Sequence, residues 1–188
     1  MQNKLTFSEP YKFTPFMSCI PMAWVECSFD NVDFTNRNEL KNFLEVYFKN
    51  FDFEGGDSIA LGRGKFAYSL MIAIYREIAG RLDTQAYTFF NWPEYAAKAT
   101  ALGYKGEQKL MDDMLDVKFI FIFDYVNVTP NQIKYFKQIL NYCYVNNIKL
   151  FMSTRIEMED IIKDLDSQMA NIFEKKFSMV EIKGDADA

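Results

Sequence analysis

The sequence predicts an α/β protein whose core is a parallel sheet with helices on both faces. Short apolar runs at 58–61, 86–90, 118–123 and 148–153 alternate with longer segments of helical periodicity, which is typical of βαβ units. The run at 117–124 is almost continuously apolar, as expected of a strand that is buried on both faces. We therefore predict one three-layer domain, a doubly wound sheet with right-handed crossovers, in this chain of 188 residues.

The first part of the chain predicts an arm, a helix and a strand. Residues 1–35 contain Pro10, Pro15 and Pro21 among aromatic side chains and predict an N-terminal arm that packs on the core. Apolar residues at helical spacing predict a helix over 38–51, and a glycine-containing break precedes the strand at 58–61.

The remaining elements follow from helical spacing, from alternation and from glycine positions. Gly103 and Gly106 predict a loop, and alternation over 178–183 predicts a last strand. The core domain is therefore 36–184, and 185–188 is predicted to be a disordered tail. Further helices are predicted over 65–81, 93–101, 107–115, 130–146, 157–165 and 167–176.

The composition excludes several kinds of site. The chain has no histidine, which excludes Ser-His-Asp and Cys-His catalysis and histidine metal sites. It has three cysteines without a C-x-x-C pair, which implies neither a zinc site nor a disulfide framework. Its net charge of -5 opposes unaided binding to nucleic acid, so we expect such binding to be weak or absent. No signal peptide or membrane-spanning run is evident, and we expect a cytoplasmic protein without a membrane partner.

The turn at 61–66, LGRGKF, lies between a predicted strand and a predicted helix, where a phosphate-binding loop would stand. A working loop reads G-x-x-x-x-G-K-[ST], in which backbone N–H groups and the lysine hold phosphates and the hydroxyl holds Mg²⁺. Here Gly62, Arg63, Gly64 and Lys65 form a shorter loop, and Phe66 stands at the hydroxyl position. Lys65 would either meet a phosphate or lie in solvent at the start of the helix.

Two later strand ends carry polar side chains. Asp124-Tyr125 ends one buried strand, and Ser153-Thr154-Arg155 ends the next. In P-loop ATPases the first position holds Mg²⁺, a second acid beside it polarises the attacking water, and the next strand senses the γ-phosphate. Asp124 would either hold a metal ion or cap the following turn, and Arg155 would either bind an anion or pair with Asp124.

Several segments in a fixed order carry a resemblance to a known family. Asn91-Trp92-Pro93 looks like a W-P-x-L motif after the second strand, and 151–155, FMSTR, stands where I-I-T-T-N is found. Over about residues 20–184 the chain resembles the AAA+ core of the bacterial helicase loaders, the DnaC, DnaI and IstB group. The resemblance implies a sheet of the P-loop NTPase (AAA+/RecA-like) type. The strand that ends at Asp124 would lie between 86–90 and 148–153, and 58–61 would neighbour 148–153. The other segments that carry the resemblance are Ile20-Pro21, 27–31, 108–117, 157–161 and 180–184.

Four catalytic parts of that family are altered. The phosphate loop is short, Tyr125 replaces the second acid, Arg155 replaces the sensor asparagine, and Asn171 stands at the arginine-finger position. A finger alone is worth about 10³–10⁵ in rate. The resemblance therefore implies no catalytic residue, no metal and no cofactor, with ATP and Mg²⁺ bound weakly or not at all.

The expected function is that of a non-hydrolysing relative of replicative helicase loaders that acts through protein–protein contact in DNA replication. Its partner would be a replicative helicase or its loader, and the protein would be a monomer or a small dimer. Two alternatives stay open at this point: an active ATPase loader with an atypical phosphate loop, and an interaction protein unrelated to replication.

Overall fold

The computed structural model describes residues 27–51, 58–62, 64–81, 87–127 and 129–180. Its elements match the predicted ones to within a few residues at their ends. Within these ranges the strands are β1 (Ser58–Leu61), β2 (Tyr87–Asn91), β3 (Phe119–Tyr125), β4 (Lys149–Thr154) and β5 (Phe177–Val180). The helices are α1 (Asn38–Lys49), α2 (Lys65–Arg81), α3 (Trp92–Leu102), α4 (Tyr104–Asp113), α5 (Pro130–Val145), α6 (Met158–Asp164) and α7 (Ser167–Lys176).

The five strands form one sheet in the order β2-β3-β4-β1-β5. Every neighbouring pair is parallel, with Phe121 of β3 opposite Phe89 of β2 and Phe151 of β4. The predicted parallel sheet is confirmed, with β3 between β2 and β4 and with β1 beside β4. This order brings the carboxyl ends of β1, β3 and β4 to one edge.

Helices cover both faces of the sheet. Phe119, Phe121 and Phe123 of β3 pack with α1 and α2 on one face, whereas Ile120 and Ile122 pack with α3, α4, α5 and α7 on the other. Since all five side chains are almost fully buried, each contributes about 1.5–3 kcal/mol to stability. The strand β3 is therefore buried on both faces, as its continuous apolar run predicts.

The segment 27–37 lies against the helical layer formed by α1 and α2. Val32 is buried, the Phe29 ring lies 5.4 Å from that of Phe48, and the Phe34 ring lies 5.8 Å from that of Phe66. Residues 1–26 and the tail 185–188 lie outside the described residues. The proposed division of the chain at 35 and 184 therefore stays a prediction.

The predicted loop at Gly103 and Gly106 is wrong at its second glycine. Gly103 has φ +56° and separates α3 from α4, but Gly106 lies within α4. A Cβ at Gly106 would stand 2.1 Å from the carbonyl oxygen of Ala99. Glycine is therefore present because two helices touch there, and not because the chain turns.

No helix of the described ranges is both long enough and apolar enough to cross a membrane.

Candidate functional site

The candidate site lies at the carboxyl edge of the sheet, where β1, β3 and β4 end side by side. Leu61 is opposite Ser153 in the parallel pairing of β1 with β4, and Tyr125 is opposite Thr154. Ligands of open α/β sheets bind at this edge. The sequence-predicted positions on β3 and β4 are therefore brought together as expected.

Asp124 has an unusual backbone conformation at this edge. Its φ is +65°, and the pairing of β3 with β4 shifts register between Ile122 and Tyr125. Its N–H donates a hydrogen bond of 3.0 Å to Ser153 Oγ. Aspartate tolerates this left-handed conformation better than most residues, and the irregularity turns its carboxylate toward β4.

The Asp124 carboxylate is engaged by Arg155 through two hydrogen bonds. Arg155 Nε donates to Asp124 Oδ1 at 2.6 Å, and Nη2 donates to Oδ2. The aspartate is only 5% exposed, whereas the Arg155 side chain is 57% exposed. The hydrogen bond to Asp124 raises the pKa of Arg155. The ion pair between these strand ends, one of two interpretations of Arg155 from the sequence, is present.

Tyr68 completes the cluster from α2, and the sequence interpretation missed it. Its ring lies 5.3 Å from that of Phe123. Burial, with a hydrogen bond to Asp124, raises its pKa to about 12, so the phenol stays neutral at ordinary pH. Its position three residues after Lys65, within one turn of the helix start, was the available signal. The cluster therefore consists of one carboxylate, one guanidinium and one phenol.

The turn before α2 leads into two side chains with opposite surroundings, one exposed and one buried. Gly64 has φ +116°, a conformation that favours glycine, and Lys65 begins α2 with an exposed side chain. Phe66 is buried, and the guanidinium carbon of Arg37 lies 4.1 Å from the centre of its ring. Arg63 lies outside the described residues. The side chain at the hydroxyl position is therefore part of the hydrophobic core.

Tyr125 packs on the face of the sheet opposite Phe123. Residues two apart on a regular strand share a face, so the irregularity at Asp124 is what moves Tyr125 to the other side. Its ring lies 4.5 Å from that of Phe136 and 5.3 Å from that of Trp92. Burial raises the pKa of its phenol. Trp92 Nε1 donates to the carbonyl of Val126 at 2.9 Å, which anchors the chain after β3. Tyr125 is therefore a core residue.

Thr154 and Asn171 have different surroundings from the ion pair. Thr154 Oγ1 lies 3.2 Å from the carbonyl oxygens of Tyr125 and Ile156 and accepts the N–H of Ile156 at 3.0 Å, so it braces the end of β4. Asn171 is exposed on α7. Asn171 takes no part in the contacts that join Asp124 to Ser153 and Arg155. Across the described ranges, no group of three or more acidic or cysteine side chains is arranged to hold a metal ion.

Several solved structures share this fold. A DnaC helicase loader superposes with a TM-score of 0.71 at 16% identity, over 87% of this chain and 100% of that one. The chain shares the fold of the DnaC and DnaI structures. DnaI superposes with a TM-score of 0.66 at 17% identity, over 88% of this chain and 92% of that one. A putative primosome component from Streptococcus pyogenes serotype M3 superposes with a TM-score of 0.64 at 13% identity, over 90% of this chain and 92% of that one. No family model and no curated protein matches the sequence.

Proposed function

We propose that this protein is a non-hydrolysing relative of bacterial replicative helicase loaders and acts through protein–protein contact in DNA replication. The observation that carries the proposal is the paired state of Asp124, which stands where the fold's metal-holding acid would be. Both of its carboxylate oxygens accept hydrogen bonds from Arg155. The fold shared with DnaC and DnaI supports the link to replication.

The residues at this edge do not fit a Mg²⁺–nucleotide complex. Mg²⁺ requires oxygen ligands in near-octahedral geometry, and both carboxylate oxygens of Asp124 already accept hydrogen bonds from the Arg155 guanidinium. The position of the usual hydroxyl ligand is the buried Phe66, and the position of the second acid is the buried Tyr125. In this proposal the Asp124–Arg155 pair supplies the charge balance that a bound metal and nucleotide supply elsewhere.

The absence of nucleotide binding and hydrolysis is tested by titration with Mg²⁺-ATP in a calorimeter, together with a turnover assay. We expect no turnover and weak or absent binding, and we expect Arg155→Met not to restore binding because Phe66 is unchanged. Lys65→Ala removes the lysine that would reach a phosphate. Its matched control is Lys41→Ala, which removes an exposed lysine on α1. Micromolar ATP affinity that Lys65→Ala abolishes and Lys41→Ala preserves would overturn the proposal in favour of an active loader.

The partner is tested separately, with the purified full chain as bait in an extract of its own source. We expect to recover the replicative helicase or its loader, and reconstitution from purified components would show direct contact. Recovery only of proteins outside replication would favour the alternative of an unrelated interaction protein. Because the net charge is -5, we expect weak or absent single-strand DNA binding at physiological salt, which fluorescence anisotropy measures directly.

A further inference from the structure

Helix α4 carries an exposed apolar stripe on its outer face. Tyr104, Met111 and Leu115 are its apolar members, and the polar Gln108 lies between Tyr104 and Met111 in the same row, because the spacings are four, three and four residues. Tyr104 is 80% exposed, Leu115 57% and Met111 37%. Leu115 lies in the turn that continues the helix, where its N–H donates to the carbonyl of Asp112 at 3.2 Å.

The opposite face of α4 is buried in the domain. Leu110 and Met114 are fully buried in the core, and Gly106 packs directly against Ala99 of α3. The helix is therefore held in place by its own inner face, and its outer stripe is not needed for folding.

A second row runs beside the apolar stripe and is divided by charge. Lys105 and Lys109 occupy its first half and Asp112 its second half, and Asp116 follows in the turn after the helix, where its φ is +60°. All four residues are exposed. Within the helix, Lys109 pairs with Asp113 at 3.0 Å and Gln108 bonds to Asp112 at 3.1 Å. Exposed contacts of this kind contribute little to stability, so these side chains are available to a partner.

This arrangement is complementary to itself in one orientation. A two-fold axis perpendicular to α4 places a second α4 antiparallel to the first and brings the same charged row of both copies to the same side. Lys109 then faces Asp112 of the second copy, and Lys105 lies toward the turn after the second helix, which carries Asp116. In the same pairing, Tyr104 meets Leu115 and Gln108 meets Met111 across the apolar stripe. A two-fold axis parallel to the helix would instead put the charged rows of the two copies on opposite sides of the contact, where they do not meet.

We propose that α4 is the contact surface of a symmetric dimer, in which it packs antiparallel against α4 of a second copy of this chain. The patch is one short helix, so the contact lies below the roughly 1,200 Å² of standard interfaces and forms a weak, concentration-dependent dimer. The proposal is independent of the proposed function, because it involves neither the Asp124–Arg155 pair nor a nucleotide.

The test is sedimentation of the full chain over a concentration series, with two charge-reversed variants. Lys105→Glu with Lys109→Glu makes the row entirely acidic, and Asp112→Lys with Asp116→Lys makes it entirely basic. We expect each variant alone to dimerise at least about tenfold more weakly than the unmodified chain, because like charges then meet across the axis. An equimolar mixture of the two variants should recover dimerisation, since an acidic row then meets a basic one.

The matched control reverses two exposed lysines elsewhere, Lys41→Glu with Lys175→Glu, and should dimerise like the unmodified chain. Circular dichroism of each variant checks folding, and the recovery in the mixture shows that both variants are folded. An unmodified chain that stays monomeric at every concentration would overturn the proposal. Variants that dimerise as the unmodified chain does, or a mixture that stays monomeric, would overturn it equally.

Discussion

Removal of Arg155 should destabilise the fold more than removal of the charge of Asp124. Arg155→Met leaves a carboxylate that is 5% exposed without its guanidinium partner. Breaking a fully buried ion pair in this way costs about 3–5 kcal/mol. Because the Arg155 side chain is 57% exposed and Tyr68 also hydrogen-bonds the carboxylate, we expect a smaller loss, about 1–3 kcal/mol.

Asp124→Asn is the informative comparison. Asparagine has almost the same shape and tolerates the left-handed backbone at φ +65°. The guanidinium that it leaves behind is largely hydrated, so we expect a loss of only about 0.5–1.5 kcal/mol. The double variant should cost less than the sum of the two single losses, because the second substitution finds the pair already broken.

Urea unfolding followed by circular dichroism and tryptophan fluorescence measures these free energies. Lys175→Met, which removes an exposed lysine from α7, should stay within about 0.5 kcal/mol of the unmodified chain. The reasoning fails if Arg155→Met is as mild as that control, or if Asp124→Asn is the more damaging of the two.

Three further substitutions test other contacts. Gly106→Ala places a Cβ 2.1 Å from the Ala99 carbonyl oxygen and should cost about 1–3 kcal/mol in urea unfolding; full stability would show that α3 and α4 do not touch there. Trp92→Phe removes the donor to the Val126 carbonyl and should cost about 1–3 kcal/mol by the same measurement, and an unchanged midpoint would contradict the anchoring role. The pKa of Tyr68 is raised from 10.0 to about 12, so the neutral phenol stabilises the fold fully below pH 10, and this contribution is lost as the pH rises toward 12. Tyr68→Phe should therefore reduce the loss of stability between pH 10 and 12, and an identical pH profile would refute the assignment.

Four strands of the sheet, β1 to β4, were predictable because each is a short apolar run between helical segments. The predicted neighbours of β3 are the observed ones, as is β4 beside β1, whereas β5 as the second neighbour of β1 was not predicted. Residues at the ends of adjacent parallel strands must lie at one edge, so the pairing of Asp124 with Arg155 could be anticipated although they are 31 positions apart. This part of the site required periodicity together with the strand order that the family resemblance implies.

Other features depend on contacts between segments that no local pattern records. The sequence determined the fold class through its periodicity, and the family resemblance that it carries implied the strand order and so the edge at which Asp124 and Arg155 meet. Only the tertiary structure placed Tyr68 beside Asp124 and Phe66 beneath Arg37. It also showed that Gly106 is a helix–helix contact, because the space beside a glycine depends on which helix packs there. Apolar periodicity indicates which side of an element is buried, whereas the identity of the atoms across the contact is decided when the elements pack together.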